Sequence, residues 1–165
     1  MSDQAAAVLL QCEGAVATLT LNRPEKLTPL DGDAIAALDA RVGELEARVD
    51  IRVVRLTGAG KAFSAGGDLA GYISLYQAPD AFRDFLEAFH ALLNRMEQSA
   101  KIYVAAVNGA CVAGGLELLL TCDVALAGEG ARIGDGHLNF GQLPGAGGSQ
   151  RLPRAIGAMG AKFLM

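Results

Sequence analysis

The chain has 165 residues, of which 52% are hydrophobic and 5% aromatic, and its formal net charge is −4. This length and hydrophobic content favour a single domain over residues 1–165, and the acidic balance without a basic stripe argues against nucleic acid as a partner. Glu117 and Asp123 interrupt the apolar stretches too soon for a membrane span, and the first ten residues lack the basic segment of a secretory signal.

The cysteine content indicates a reducing compartment. Cys12, Cys111 and Cys122 are odd in number and form no CxxC pair. This pattern favours neither a disulfide framework nor a zinc site, so we expect a cytoplasmic protein without a metal ion.

The hydrophobic pattern predicts strands that alternate with helices. Residues 15–21 alternate as a strand does, and residues 30–49 carry an apolar stripe at helical spacing. The members of that stripe are Ile35, Leu38, Val42, Leu45 and Val49. A second strand over residues 51–57 follows this helix directly.

The second half of the chain continues the alternation. A helix over residues 79–98 has a stripe that we expect to be buried, formed by Phe82, Phe85, Leu86, Phe89, Leu93 and Met96. A strand over 102–107, a helix over 115–121 and a strand over 124–127 complete the order. Strands separated by helices predict parallel crossovers and therefore a layered α/β fold.

Two glycine-rich turns, each placed after a predicted buried strand, are the most informative feature. They read FSAGGD at residues 63–68 and NGACVAGGLE at residues 108–117. Glycine lets the backbone approach a ligand closely, and a helix start has free N–H donors. Two such donors could stabilise one developing oxyanion, with the Glu117 carboxylate one helical turn away.

Three long motifs occur in one order along the chain. LNRPEK spans residues 21–26, GKAFSAGGDL spans 60–69, and residues 101–157 begin KIYVAAVNGACVAGGLELLLTCDVAL. Together they resemble the crotonase family, the enoyl-CoA hydratases and isomerases. The resemblance implies a spiral of ββα units, a homo-oligomer built of trimers, and further C-terminal helices beyond the point where this chain stops.

The resemblance also implies roles for particular residues. The backbone N–H groups of Gly67 and Gly114 fall where the family forms its oxyanion hole. Glu117 matches the first of the two catalytic glutamates of the hydratases, although a structural role as partner of a backbone N–H is the alternative.

His137 is a departure from the family pattern. It stands where the hydratases have their second catalytic glutamate. An imidazole, whose ordinary pKa is about 6.5, could carry a proton there. It could equally line the pocket and prevent hydration, and the neighbouring Asp135 could orient it.

Other residues fall where relatives contact coenzyme A, namely Ala65, Gly66, Asp68 and Lys26. From the residues alone, Asp68 is most simply a helix N-cap and Lys26 a surface lysine. Asp123 is predicted to be structural, His90 to be an ordinary helix residue, and the loop over residues 144–150 to shape the pocket floor.

The implied function is that of an acyl-CoA lyase that hydrates an enoyl-CoA or dehydrates a 3-hydroxyacyl-CoA. Isomerisation, hydrolysis or decarboxylation of an acyl-CoA at the same site remains open, as does a non-catalytic CoA-binding or assembly subunit. No metal or redox cofactor is implied, because the thioester itself is the electron sink.

Overall fold

The computed structural model describes residues 6–165. In chain order the strands are β1 (Val8–Glu13), β2 (Val16–Leu21), β3 (Val53–Gly58), β4 (Ala62–Ser64), β5 (Ile102–Val107), β6 (Ala110–Val112), β7 (Val124–Ala127) and β8 (Arg132–Gly134). The helices are α1 (Gly32–Glu46), α2 (Leu69–Tyr76), α3 (Pro79–Glu97), α4 (Gly114–Leu119) and α5 (Gly148–Leu164). Two 3-10 turns lie at Pro24–Lys26 and His137–Phe140.

The strands form two sheets, as the α/β prediction requires. The larger has the order β1-β2-β3-β5-β7 and the smaller has the order β4-β6-β8. All neighbouring strands run parallel except β1, which pairs antiparallel with β2. The parallel crossovers are therefore confirmed, whereas β1 and the smaller sheet were not predicted.

Two strands of the smaller sheet, β4 and β6, lead directly into the glycine-rich turns. β4 ends at Ser64 just before Gly66, and β6 ends at Val112 just before Gly114. Because β4 and β6 are parallel neighbours, their carboxyl ends lie side by side. The two turns that follow them are thereby brought together.

Helix α1 is shorter than the pattern indicated. It begins after Asp31, whose side chain accepts a hydrogen bond from Ala34 N, and it ends at Glu46. Val49 was predicted to belong to the apolar stripe of this helix, which is wrong: it lies beyond the helix end and is 94% exposed. The other four members of the stripe are buried.

The predicted stripe on α3 divides into two parts. Phe89, Leu93 and Met96 are buried in the core, as expected. Phe82, Phe85 and Leu86 are only half-buried. The prediction of full burial is wrong for these three, because they line an open cleft instead of the core.

The expectation that the first ten residues are not a secretory signal concerns in part residues 1–5, which lie outside the described part of the chain. Within residues 6–165, no helix is both long and apolar enough to cross a membrane. The three cysteines are all free thiols.

The core supplies a first testable prediction. Leu38 on α1 is fully buried, so truncation to alanine should leave a cavity and lower the free energy of unfolding by about 2–5 kcal/mol. The same kind of truncation at the exposed Val49 should change it by less than about 0.5 kcal/mol. Urea denaturation of the two variants measures both values, and equal losses would contradict this assignment of the core.

Candidate active site

The two glycine-rich turns pack directly against each other. A Cβ atom added to Gly66 would lie 2.7 Å from Ala113 Cβ and 3.0 Å from Val112 O. Gly66 has a φ of +89° and Ala113 a φ of +50°, which is unusual for a residue with a side chain. Ala113 is held in this conformation by a 2.6 Å hydrogen bond from its N–H to Asp135 O. Strained backbone of this kind concentrates at functional sites.

Gly67 comes directly after Gly66, and Gly114 directly after Ala113. Both glycines line one cleft. Gly114 is the first residue of α4, where a helix has no internal acceptor for its N–H. Within residues 6–165, neither the Gly67 nor the Gly114 amide donates a hydrogen bond to another protein group. Two backbone donors at the cleft wall are therefore left for a ligand.

Close packing of the turns predicts the effect of a substitution at Gly66. Gly66→Ala adds both a left-handed strain and a clash with the opposite turn, so ligand binding at the cleft should weaken and the melting temperature should fall. Gly14→Ala is a matched control, because Gly14 also has positive φ but has nothing within 4 Å of the added Cβ.

The control should lose only about 1–2 kcal/mol of unfolding free energy and keep its ligand affinity. Thermal unfolding of both variants, and their titration with the acyl-CoA ligand that the family resemblance implies, check this. Unchanged affinity in Gly66→Ala would show that the packing of the two turns does not shape the cleft.

The cleft has a volume of about 490 Å³ and a largely aromatic wall. Helices α2 and α3 supply most of this wall with Tyr72, Tyr76, Phe82, Phe85 and Phe89. Tyr72 and Phe85 meet edge-on with their centroids 5.7 Å apart, whereas Phe82 and Phe85 are stacked. Burial raises the pKa of Tyr72 to about 12, so its phenol is uncharged at neutral pH. Such a surface suits an apolar ligand group.

Glu117 lies on α4 at the inner end of the cleft and is almost completely buried. Its Oε1 accepts 2.8 Å hydrogen bonds from both Ala146 N and Gly148 N. The structural role considered for Glu117 therefore exists, but it occupies only Oε1. Burial raises the pKa of Glu117 above its ordinary value, and the two N–H donors and His137 offset only part of that rise.

His137 lies opposite Glu117 in the same cleft. Its Nε2 is 3.8 Å from Glu117 Oε2, too far for a hydrogen bond, so both atoms remain available to a third group. The ring Nδ1 of His137 lies 2.9 Å from Asp135 Oδ1, and the backbone N–H of His137 donates to Asp135 Oδ2. Since a carboxylate only accepts, Nδ1 carries a hydrogen, and this bond to Asp135 orients the ring so that Nε2 faces the cleft.

The residues predicted to contact coenzyme A are less closely grouped. Ala65 lines a smaller cavity that shares Gly67, Tyr72 and His137 with the cleft. The Asp68 side chain accepts from Ala70 N and Gly71 N, which confirms it as the N-cap of α2. Lys26 lies on an exposed 3-10 turn and lines neither cavity.

The expectations about Asp123 and the 144–150 loop are met. Asp123 has the structural role predicted for it, since its Oδ2 accepts from Tyr103 N at 2.8 Å. Gly145 and Ala146 of the 144–150 loop line the cleft, as expected of a pocket floor. In the described part of the chain, no three His, Cys, Asp or Glu side chains are grouped so as to hold a metal ion.

Sequence reasoning missed two parts of the site. The first is the aromatic wall, for which the crowding of Tyr and Phe over residues 72–89 was an available signal. The second is the pair of amides, Ala146 N and Gly148 N, that bind Glu117. No local pattern could reveal this contact, because its partners are about 30 residues apart in the chain.

Comparison with known proteins agrees with this geometry. The family described as enoyl-CoA hydratase/isomerase matches residues 11–165. The short-chain-enoyl-CoA hydratase of Clostridium acetobutylicum is 38% identical over 159 residues, which cover 96% of this chain and 60% of that protein. The chain therefore belongs to the enoyl-CoA hydratase/isomerase family, also called the crotonase family.

Solved structures show the same fold. An enoyl-CoA hydratase from Thermoplasma volcanium superposes with a TM-score of 0.93 at 32% identity, covering 99% of this chain and 65% of that one. One from Bacillus anthracis gives 0.90 at 34% identity, covering 96% and 61%. The chain thus spans about three fifths of the length of these relatives.

Proposed function

We propose that this chain binds an acyl-CoA thioester in the cleft and hydrates an enoyl-CoA, or dehydrates a 3-hydroxyacyl-CoA in reverse. The observation that carries the proposal is the convergence of four groups on one cleft: the unpaired amides of Gly67 and Gly114, the free Oε2 of Glu117, and Nε2 of His137. The two amides would form the oxyanion hole.

The chemistry assigned to the amides follows from where charge develops. Addition of water to the double bond places negative charge on the thioester oxygen of an enolate. Two preorganised N–H donors stabilise that charge, and loss of one such donor costs on the order of 3 kcal/mol in comparable sites. No metal or redox cofactor enters this scheme, because the thioester accepts the charge.

Proton transfer is assigned to the facing pair. Glu117, as a carboxylate, takes a proton from water through Oε2 while the water oxygen bonds to Cβ. His137, as an imidazolium, gives the Nε2 proton to Cα, and Asp135 holds Nδ1–H throughout. In the reverse direction the two residues exchange roles, so atoms and charges balance in both directions.

A second candidate is isomerisation, hydrolysis or decarboxylation of an acyl-CoA at this site. The family resemblance favours it, because it puts His137 at the position where the hydratases have their second catalytic glutamate. A non-catalytic CoA-binding or assembly subunit is the alternative of another class, motivated by the same departure at His137.

Crotonyl-CoA separates these functions. Calorimetry measures its binding, and loss of the enoyl absorbance measures hydration, for the wild type and for His137→Glu. Hydration by the wild type supports the proposal. Binding without turnover that His137→Glu restores points to another acyl-CoA reaction, and absence of binding contradicts acyl-CoA chemistry for this chain alone.

We also propose that the chain self-associates, as the family resemblance implies, and that it does so in the cytoplasm, as its cysteine content indicates. The far end of α5 supports this, because Met159 and Phe163 are 79% and 88% exposed. Large exposed apolar patches mark association surfaces. Light scattering of the purified chain gives its mass directly, and a monomer at micromolar concentration would contradict the proposal.

A further inference from the structure

His90 contacts the same peptide group that binds Glu117. On α3, its Nε2 lies 2.6 Å from Gly145 O. The next atoms of that peptide group are the N–H of Ala146, which donates to Glu117 Oε1 at 2.8 Å. Because a carbonyl oxygen only accepts, His90 Nε2 must carry a hydrogen. One peptide group therefore separates the imidazole of His90 from the Glu117 carboxylate.

The loop that carries this peptide is rich in glycine. Residues 145, 147 and 148 are glycines, and Gly147 has a φ of +98°. Glycine gives the backbone more accessible conformations, so hydrogen bonds to the loop help to fix its peptide planes. Arg151 donates a hydrogen bond to Ala146 O and so helps to fix the next peptide group along the chain. The N–H of that peptide group belongs to Gly147 and does not bind Glu117, which accepts from Gly148 N instead.

Hydrogen bonds at the two ends of one peptide group also strengthen each other. Donation to the carbonyl oxygen polarises the N–H, which then donates more strongly. Here the acceptor of the Ala146 N–H is the buried Glu117 carboxylate, and a hydrogen bond to a charged acceptor is stronger than one to a neutral acceptor.

We propose that His90 is a positioning residue for Glu117, acting through the Gly145–Ala146 peptide to aim the Ala146 N–H at Oε1 and leave Oε2 facing the cleft. This inference rests on the proposed function for its effect on turnover. It replaces the expectation that His90 is an ordinary helix residue. No contact between His90 and the substrate is involved.

Different ionisable side chains surround Glu117 and His90. Glu117 is approached by His137 and Asp135 from the 3-10 turn side and by Tyr72 from α2. His90 shares a polar groove with Glu97 of α3 and with Arg151 and Arg154 of α5. Arg151 and Glu97 are ion-paired with each other, so neither replaces His90 at Gly145 O.

Two amide variants test the proposal because they differ by a single methylene. His90→Asn has a donor too short to reach Gly145 O, and His90→Gln has one that reaches it. Asn94→Ala is the matched control: it removes a side-chain hydrogen bond to Arg151 in the same groove without touching the peptide. Because His90 is only half-buried and the groove is polar, each variant is expected to fold, and melting temperatures verify this.

The decisive readout is the pKa of Glu117, followed by carbon-13 NMR of labelled glutamate carboxyls and assigned with Glu117→Gln. We expect His90→Asn to raise this pKa, since the Ala146 N–H bond that lowers it is weakened, and His90→Gln to restore it. In crotonyl-CoA hydration, kcat should fall about fivefold in His90→Asn with KM nearly unchanged, the size of one lost hydrogen bond. Asn94→Ala should match the wild type.

An unchanged Glu117 pKa in His90→Asn, or equal losses in His90→Asn and His90→Gln, would overturn the inference. The NMR readout is independent of catalysis. If the pKa moves as expected while Glu117→Gln keeps full activity, the positioning role stands and the proposed function fails.

Discussion

Replacing Glu117 by glutamine is expected to lower the turnover of crotonyl-CoA by at least about 100-fold, the usual contribution of a general acid or base. The amide oxygen can take the place of Oε1 and keep accepting from Ala146 N and Gly148 N. The amide nitrogen then stands where Oε2 was and cannot take a proton. The fold and the affinity for substrate should therefore survive while the chemistry is lost.

Glu129→Gln is the matched control, since Glu129 is exposed and lies outside the cleft. Stopped assays and calorimetry on both variants separate turnover from binding. Wild-type turnover in Glu117→Gln would refute its role in proton transfer and leave only the structural contact with the 144–150 loop.

Replacing His137 by glutamine is the second prediction with a large effect. Hydration should again fall by at least about 100-fold, because the variant lacks the group that we propose supplies a proton to Cα. The imidazole also lowers the pKa of Glu117, so its removal raises that pKa further. A higher pKa means that less Glu117 is ionised at a given pH, and the acid limb of kcat/KM must then move to higher pH.

The pH profile of the residual activity measures this shift. An acid limb that stays in place or moves to lower pH would contradict the electrostatic coupling of the two residues. Asp135→Asn offers a graded comparison: it keeps the imidazole but removes the carboxylate that fixes its Nδ1 proton. It should fall between the wild type and His137→Gln in turnover.

The sequence predicted the parallel sheet and the two glycine turns because each rests on a local signal. Buried β-branched strands and amphipathic helices carry a period that is visible in about ten residues. The same reasoning failed for β4, β6 and β8, which have three residues each and are too short to show any period. Those strands nevertheless decide where the two turns meet.

Errors at α1 and α3 have a different origin. The apolar spacing continued to Val49, but the chain leaves the helix after Glu46 and turns toward β3. On α3, the spacing of Phe82 and Phe85 is that of a core face, yet α2 packs so that these rings line the cleft. Periodicity identifies an apolar face but not whether protein or ligand covers it.

The candidate site shows the same division. Gly67, Gly114, Glu117 and His137 were found from motifs, and the structure brings all four to one cleft. The environment of Glu117 was beyond prediction, because it is made by amides from a distant loop and by His90 behind that loop. Long-range contacts of this kind set the pKa of a carboxylate and leave no trace in its neighbouring residues.

The position of a bound thioester tests the central proposal most directly. A crystal structure of the Glu117→Gln variant with crotonyl-CoA should place the thioester oxygen within about 2.7–3.1 Å of both Gly67 N and Gly114 N. The Cα and Cβ atoms should then lie between residue 117 and His137. A thioester oxygen remote from either amide, with the enoyl group outside the aromatic cleft, would contradict the proposed site.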